Sequence, residues 1–335
     1  MVEYHDLTLR DGCHAICHQL SPEMIVKHCQ FAEEAGIPVV EVGHGNGLGA
    51  SSILIGRALL SDHEMLSLAR LHLSTTKLSC HVIPGLATVE RDIEPAIRIG
   101  VDIFRIACHC TEATMTKAHI EYIASRGKTA YGALMMSATC TTEVLCDAVK
   151  KMKTYGAEAV IIMDSTGSFL PDDVRQCFTE LSKIDIKLGF HAHNNLSLAV
   201  ANSLAAIQSG AAIIDATVCG FGAGAGNTPL EVISTLYPCD NLHIIDCMRE
   251  LNYPAPLTKT INILTAKYKL HSVFEKKIET TAKLYNLQLE PLVKALSAQN
   301  LVAGQEDLVD VIAASMSCSQ QCSRKKAVEQ CDELN

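Results

Sequence analysis

The segment Ala157–His193 reads AEAVIIMDSTGSFLPDDVRQCFTELSKIDIKLGFHAH, and its pattern decides the fold. An apolar run, Ala159–Met163, ends in the polar pair Asp164-Ser165. A proline-started amphipathic stretch, Pro171–Ser182, follows, and a second β-rich run, Leu188–His193, closes the unit. Two such runs joined by a helix, with no hairpin signal between them, demand parallel strands and a crossover. The same unit recurs on both sides. Strand-like runs lie at Tyr4–Leu9, Val39–Val42, Leu78–Ile83, Ile103–Ala107, Tyr131–Met135 and Ile213–Val218. Between them fall helical stretches such as Pro22–Ala35, Thr88–Ile99, Thr142–Tyr155 and Leu196–Gln208. Eight strand–helix units in succession predict an α/β protein, a closed (β/α)8 TIM barrel. Glycine helix stops at Gly36, Gly100, Gly156 and Gly210 precede strands in the same way. An open doubly wound sheet is the competing arrangement.

The barrel accounts for residues 1–237 as a catalytic domain. Residues 238–317 have another texture: no strand runs, the punctuation Tyr253-Pro254-Ala255-Pro256, and helical patterns from Thr258 to Leu296 and Glu306 to Ala314. They read as a C-terminal helical extension. The polar stretch 318–335 reads as a flexible tail. Its Cys318 and Cys322 stand four apart with no histidine to complete a metal site.

Composition excludes several functions. The 335 residues carry 28 Lys and Arg against 37 Asp and Glu, a net charge of −9, which opposes phosphate neutralisation and therefore nucleic-acid binding. With 7 Phe, 8 Tyr and no Trp there is little from which to build a base-stacking platform. The longest stretch without Asp, Glu, Lys or Arg in the barrel's second half, around Leu188–Ile214, is interrupted by His, Asn, Gln and Ser, unlike a lipid-facing helix. The 15 cysteines are odd in number and contain no Cys-x-x-Cys, so reduced thiols in a cytoplasmic protein are expected. The opening, with Glu3, His5, Asp6, Arg10 and Asp11, has no secretory pattern.

In such a barrel, function collects at the carboxyl ends of the strands. Arg10-Asp11-Gly12 and His14 follow the first run, His44 the second and His109 the fourth. Asp164-Ser165 follow the sixth, His191-Ala192-His193-Asn194-Asn195 end the seventh, and a glycine loop, Gly220–Asn227, follows the eighth. Two histidines two apart on a strand face the same side. With Asp11 reaching in from the first strand, His191 and His193 would bind a divalent ion such as Mn²⁺, Mg²⁺, Co²⁺ or Fe²⁺ and leave positions open for a substrate. The alternative is a pair of core histidines bonded to backbone. Arg10 offers a fork of donors for a carboxylate or developing enolate oxygen, or else a structural ion pair. His14 is a proton shuttle or a bystander. The glycine loop could cradle a phosphate or pass close to the mouth, and Asn227 could reach the ion or brace that loop. His44, Cys108, His109 and Cys110 read as packing behind the site. No lysine ends a strand, which opposes a Schiff-base aldolase and favours a metal-dependent one.

The run Asp6-Leu-Thr-Leu-Arg-Asp-Gly-Cys-His-Ala-Ile-Cys-His-Gln19 resembles the opening of the 4-hydroxy-2-oxovalerate aldolases, pyruvate-specific class II aldolases of the DRE-TIM metallolyase superfamily. The likeness continues through Glu41-Val-Gly-His-Gly45, His109-Cys-Thr-Glu-Ala113, Leu134-Met-Met-Ser137, Asp164-Ser165, His191–Leu198 and Gly222–Glu231. The resemblance implies a Mn²⁺-type ion on Asp11, His191 and His193, with Arg10 and Ser165 holding the 2-oxo acid. It implies His14 as catalytic base, retro-aldol cleavage to pyruvate and an aldehyde, and a place in aromatic hydrocarbon catabolism. It further implies that the helical region docks an acylating aldehyde dehydrogenase. The chain departs from the family in two places. Leu270-His271-Ser272-Val273-Phe274 puts His271 where the family carries a substrate-binding tyrosine, and His81 and Ile83 stand before Pro84-Gly85 where an apolar pair is expected. Two other functions fit the same barrel: a lyase or synthase acting on an acyl-CoA, with Cys219 beside its glycine loop, and a non-catalytic subunit of an aldolase–dehydrogenase assembly.

Overall fold

The computed structural model describes residues 2–239, 242–248, 251–299, 301 and 304–332, with side chains to Ser319. Eight parallel strands close in sequence order: β1 (Glu3–Asp6), β2 (Val39–Glu41), β3 (Lys77–Val82), β4 (Ile103–His109), β5 (Thr129–Met135), β6 (Ala159–Asp164), β7 (Lys187–Ala192) and β8 (Ile213–Ala216). Closure is made by β8 against β1, with Glu3 opposite Ile213 and Asp6 opposite Ala216. The (β/α)8 TIM barrel is therefore the architecture, and the open sheet is not. All eight expected runs contain strands, each with at least one apolar residue buried against the surrounding helices.

Two apolar clusters hold the barrel. One, including Tyr4, Val40, Leu78, Phe104, Val160 and Phe190, lies between strands and helices. The other, including Val39, Ile103, Tyr131, Ile161 and Ile213, fills the lumen. Local signals start and stop the helices as the sequence predicts. Ser21 caps Pro22–Ala35 by accepting from Met24 N, and that helix ends on Gly36 in the left-handed region.

Several boundaries move, and three of them bear on the site. β1 stops at Asp6 rather than Leu9, because the Asp6 carboxylate accepts from Thr8 N and the Arg10 and Asp11 amides turn back onto Leu7 O. This turn swings Arg10 and Asp11 over the barrel mouth. The helix expected from Leu196 begins at Ala199, whose N–H donates to Asn194 Oδ1 after Ser197 takes a positive φ of 60°. β7 ends at Ala192, and His193 instead bridges to Asn227.

Beyond the barrel, Thr260–Lys267, Glu275–Leu284 and Leu289–Ser297 are helices packed around their own apolar cluster, which includes Ile261, Phe274, Leu292 and Val309. The final helix, Asp307–Asp332, runs through most of the stretch that composition suggested was a flexible tail. No glycine or proline interrupts it.

Glu275 ties this region to the barrel. Its buried carboxylate accepts from Asn195 Nδ2 at 2.8 Å, Thr265 Oγ1 at 2.7 Å and Asn262 Nδ2 at 2.6 Å. Burial outweighs those three donors and pushes the carboxyl up to about 7 from an ordinary 4.5. The folded-state value is raised, so the contribution is complete below about 4.5 and is lost as pH rises through 7. Glu275→Gln is expected to flatten this part of the stability profile. The check is Tm against pH from about 5 to 8 for both proteins, and parallel curves would refute the assignment.

Candidate active site

The turn after β1 continues as a short 3-10 helix, Asp11–His14, laid across the mouth. The ends of β6 and β7, the glycine loop after β8 and the Leu270–Phe274 segment converge on it. They enclose a cavity of about 40 Å³, lined by Arg10, Asp11, His14, Ser165, His193 and His271 among others. One water needs about 10–15 Å³, so this space exceeds a single solvent site. An outer cleft of about 620 Å³ shares His14, Asn46, Ala223 and Val273 with it and opens to the surface.

Asp11, His191 and His193 are all buried, and one ligand atom from each lies within 4.8 Å of the others. This is the one such cluster found among the described residues. The two imidazoles stand edge to face, with centroids 5.1 Å apart. Asp11 accepts from Arg10 at 2.5 Å and from Ala223 N at 3.1 Å. Burial works against its charge, yet Arg10 and the nearby histidines hold its carboxyl well below the usual carboxylate range. Burial presses His193 down to about 3, which keeps its imidazole neutral at pH 7. An anionic Asp11 oxygen and a neutral His193 imidazole are protonation states that a divalent ion requires.

Two polar atoms of residues lining this cavity have no hydrogen-bond partner, Arg10 NH2 and His193 Nδ1, and a third, His81 Nδ1, has only Glu41 at 3.9 Å. Buried polar groups are nearly always satisfied, so a group of exceptions facing one space marks where a ligand belongs. Arg10 is otherwise fully engaged, with Nε on Glu41 at 2.6 Å and NH1 on Asp11. Its remaining nitrogen is held for something else.

A buried chain of charge fixes these groups from behind. Glu41 also accepts from Arg105 at 3.4 Å, Arg105 donates to Asp215 at 2.6 Å, and Asp215 contacts His191 Nδ1 at 3.1 Å. The chain thus runs across the lumen from Arg10 to His191. With Nδ1 turned to Asp215, His191 Nε2 faces the mouth and accepts from Asn227 Nδ2 at 3.2 Å. Sequence reading passed over Arg105 and Asp215, although a charge inside an apolar strand run was a signal available in Ile103–Ala107 and Ile213–Val218.

His14, partly buried, borders both the inner cavity and the outer cleft, and burial lowers it to about 4. Ser165 is buried, with Oγ accepting from Met136 N at 3.0 Å. His271 reaches the cavity from outside the barrel, its segment fastened by Ser272 N donating to Ser165 O at 3.3 Å. His81 and Ile83 line the same cavity. His44 stacks on His18 at 3.6 Å, outside the inner cavity, and His109 borders a different cavity. Cys219 hydrogen-bonds through its amide to Glu231 and does not line the inner cavity, which removes the feature that favoured an acyl-CoA loop.

A parallel barrel with a carboxylate and two imidazoles at its carboxyl mouth, beside an arginine with a spare donor, defines a class of barrel lyases equipped to hold a metal. The HMGL-like family model matches residues 1–238. Curated relatives named 4-hydroxy-2-oxovalerate aldolase include one from Pectobacterium atrosepticum, 44% identical over 93% of this chain and 94% of its own length. Another, from Spirochaeta aurantia, is 46% identical over 91% and 93%. The chain belongs to the HMGL-like family and, within it, to the 4-hydroxy-2-oxovalerate aldolases. Among solved structures, the carboxyl transferase domain of Rhizobium etli pyruvate carboxylase with oxamate and biotin aligns with TM-score 0.78 at 16% identity, covering 96% of this chain and 61% of that one. The N-terminal domain of a putative aldolase from Bacteroides vulgatus aligns with TM-score 0.69 at 24% identity, covering 83% and 97%. At those identities the likeness concerns the fold alone.

Proposed function

We propose that this chain cleaves a 4-hydroxy-2-oxo acid, such as 4-hydroxy-2-oxopentanoate, to pyruvate and an aldehyde. The observation that carries this reading is the spare Arg10 donor and the unpartnered His193 nitrogen buried around one cavity with Asp11. Asp11, His191 and His193 would hold the divalent ion, with Mn²⁺ the favoured one. When bound, such an ion acts as a Lewis acid on a carbonyl oxygen. Arg10 NH2 and Ser165 Oγ bind and orient the oxo-acid end. Arg10 also places fixed positive charge where negative charge grows on the C2 oxygen. His14, neutral because burial lowers it to about 4, accepts the proton of the C4 hydroxyl. The C3–C4 bond then breaks, its electrons pass to the C2 oxygen, the aldehyde departs, and protonation of C3 gives pyruvate.

His271 and His81 add polar groups to the wall of this cavity and are proposed to select the aldehyde. The outer cleft beside the helical extension supports a route by which an acylating aldehyde dehydrogenase docked there would receive the product. Thirteen free cysteines among the described residues support a reducing, cytoplasmic setting. The test of the function is pyruvate release from 4-hydroxy-2-oxopentanoate and longer homologues by metal-stripped protein, with and without Mn²⁺. Manganese-dependent pyruvate is the expected result, and none with any divalent metal would overturn the reading.

Asp215 acts through His191 in this scheme. Asp215→Asn preserves shape but weakens the grip on the imidazole, and metal affinity is expected to fall about 10- to 100-fold. Calorimetric Mn²⁺ titration measures it, and unchanged affinity would remove Asp215 from the metal centre.

A further inference from the structure

Just after His14 the chain folds back on itself. Cys17 and His18 both take left-handed backbone, with φ of 53° and 62°. That region disfavours residues with a Cβ, and two in succession persist only where the surroundings hold them. Hydrogen bonds supply that hold. His18 N donates to Cys13 O at 2.7 Å, and Leu59 N donates to His18 O at 3.1 Å. Gln19 Nε2 ties the turn to the loop after β2, donating to Cys17 O at 3.1 Å and to Arg57 O at 2.8 Å. The His18 ring thereby returns to the His14 ring in a T-shaped contact, with centroids 5.2 Å apart and planes at 72°. The His18 ring is held in turn. It stacks on His44, with centroids 3.6 Å apart and planes at 15°. His44 is fixed at both nitrogens, because Asn46 N donates to Nδ1 at 3.1 Å and Nε2 donates to Gly56 O at 3.0 Å. Gly45 N donates to His18 Nδ1 at 3.4 Å. Two glycines let backbone meet these rings directly. A Cβ on Gly56 would lie 2.7 Å from His18 Cδ2, and one on Gly45 would lie 2.5 Å from His14 Nε2.

We propose that His18 is a positioning residue for the base: its ring, locked by His44 and Gly45, sets the angle at which the His14 imidazole meets the C4 hydroxyl. The inference rests on His14 taking that proton, as argued above. The role is one of shape, since His18 meets His14 ring against ring. His14 borders the small inner cavity on one side and the much larger outer cleft on the other. Without the His18 ring beside it, the imidazole is free to turn toward the cleft and away from the substrate. Proton transfer needs donor and acceptor within hydrogen-bond reach, and a displacement of about 1 Å can cost about 10²-fold. Gly45 serves both histidines, touching His14 with its backbone while its amide holds His18.

Two variants of the full-length protein, loaded with Mn²⁺, separate ring from backbone. His18→Asn keeps a residue that tolerates left-handed backbone and an oxygen for the Gly45 amide, but removes the ring. His18→Phe keeps a ring and gives up the acceptor. His18→Asn is expected to lower kcat for 4-hydroxy-2-oxopentanoate about 10- to 100-fold, with KM and Mn²⁺ affinity changed less than about twofold. Its solvent deuterium isotope effect on kcat should rise, because proton transfer has become the slower step. His18→Phe should stay within about threefold of the parent. Added to His14→Ala, His18→Asn should cost nothing further, since a positioning residue acts only through the group it positions. Should His18→Asn lose its thermal transition, His18→Leu, which fills the space without a flat ring, carries the same prediction. Parent-like kcat without the ring, an equal loss in His18→Phe, or an additive loss in the double variant would each overturn the proposal. Parent-like turnover in His14→Ala would overturn the base assignment and the positioning with it. Loss in His14→Ala with none in His18→Asn would overturn the positioning alone.

Discussion

His193→Ala is expected to abolish metal-dependent pyruvate release, lowering kcat/KM on the order of 10³-fold or more. The side chain is one of three buried donors that converge within 4.8 Å, and its Nδ1 has no protein partner. Alanine leaves Asp11 and His191 alone, a set too small to hold an ion against water. The fold should survive, because His193 lies past the end of β7 and belongs to neither apolar cluster of the barrel. Three measurements belong together: bound Mn²⁺ after equilibrium dialysis, pyruvate release, and the thermal midpoint. Loss of the first two with the third unchanged is the expected outcome. Full activity in this variant would remove the metal from the assignment.

Arg10→Lys is expected to lower kcat/KM by about 10²- to 10³-fold while metal affinity stays close to that of the parent. The charge is conserved, so the loss would come from geometry. Arg10 uses one nitrogen for Glu41, one for Asp11, and keeps a third unpartnered at the cavity. An ammonium on a flexible stem cannot face all three directions at once. Glu41 and Asp11 would compete for it, and a substrate oxygen would be left without its donor. The separation of metal binding from turnover distinguishes this from a collapse of the mouth. Equal loss of both would mean that Arg10 serves only to brace Asp11.

Eight strands were legible because each apolar run is bounded by turn residues and followed by a helical repeat, as in Ala159–Met163 and Pro171–Ser182. The His191-x-His193 pair was legible for a simple reason: spacing of two at the end of a β run puts both rings on one side. The structure brings those rings together with Asp11 even though His193 itself lies beyond the strand. Less was legible where contacts are distant in sequence. Nothing local to Asp215 or Arg105 says that they join Arg10 to His191, since their partners lie on other strands. The end of β1 depended on a side chain, Asp6, capturing the Thr8 amide. His271 drew notice only through resemblance, because a histidine in a helical region has no pattern of its own. The helix through 318–332 was not expected because polarity was read as a flexible tail, and the absence of glycine and proline from the stretch was given no weight.

The match to the shared family model ends at residue 238, yet His271 and Val273 form part of the cavity wall and Ser272 is bonded to Ser165. The pocket therefore takes its wall from two parts of the chain, the barrel and a short segment of the helical region that the shared family model does not reach. On the proposed role of His271, exchanging Leu270–Phe274 for the corresponding segment of a relative is expected to change which aldehyde is released while leaving the Asp11, His191 and His193 cluster in place.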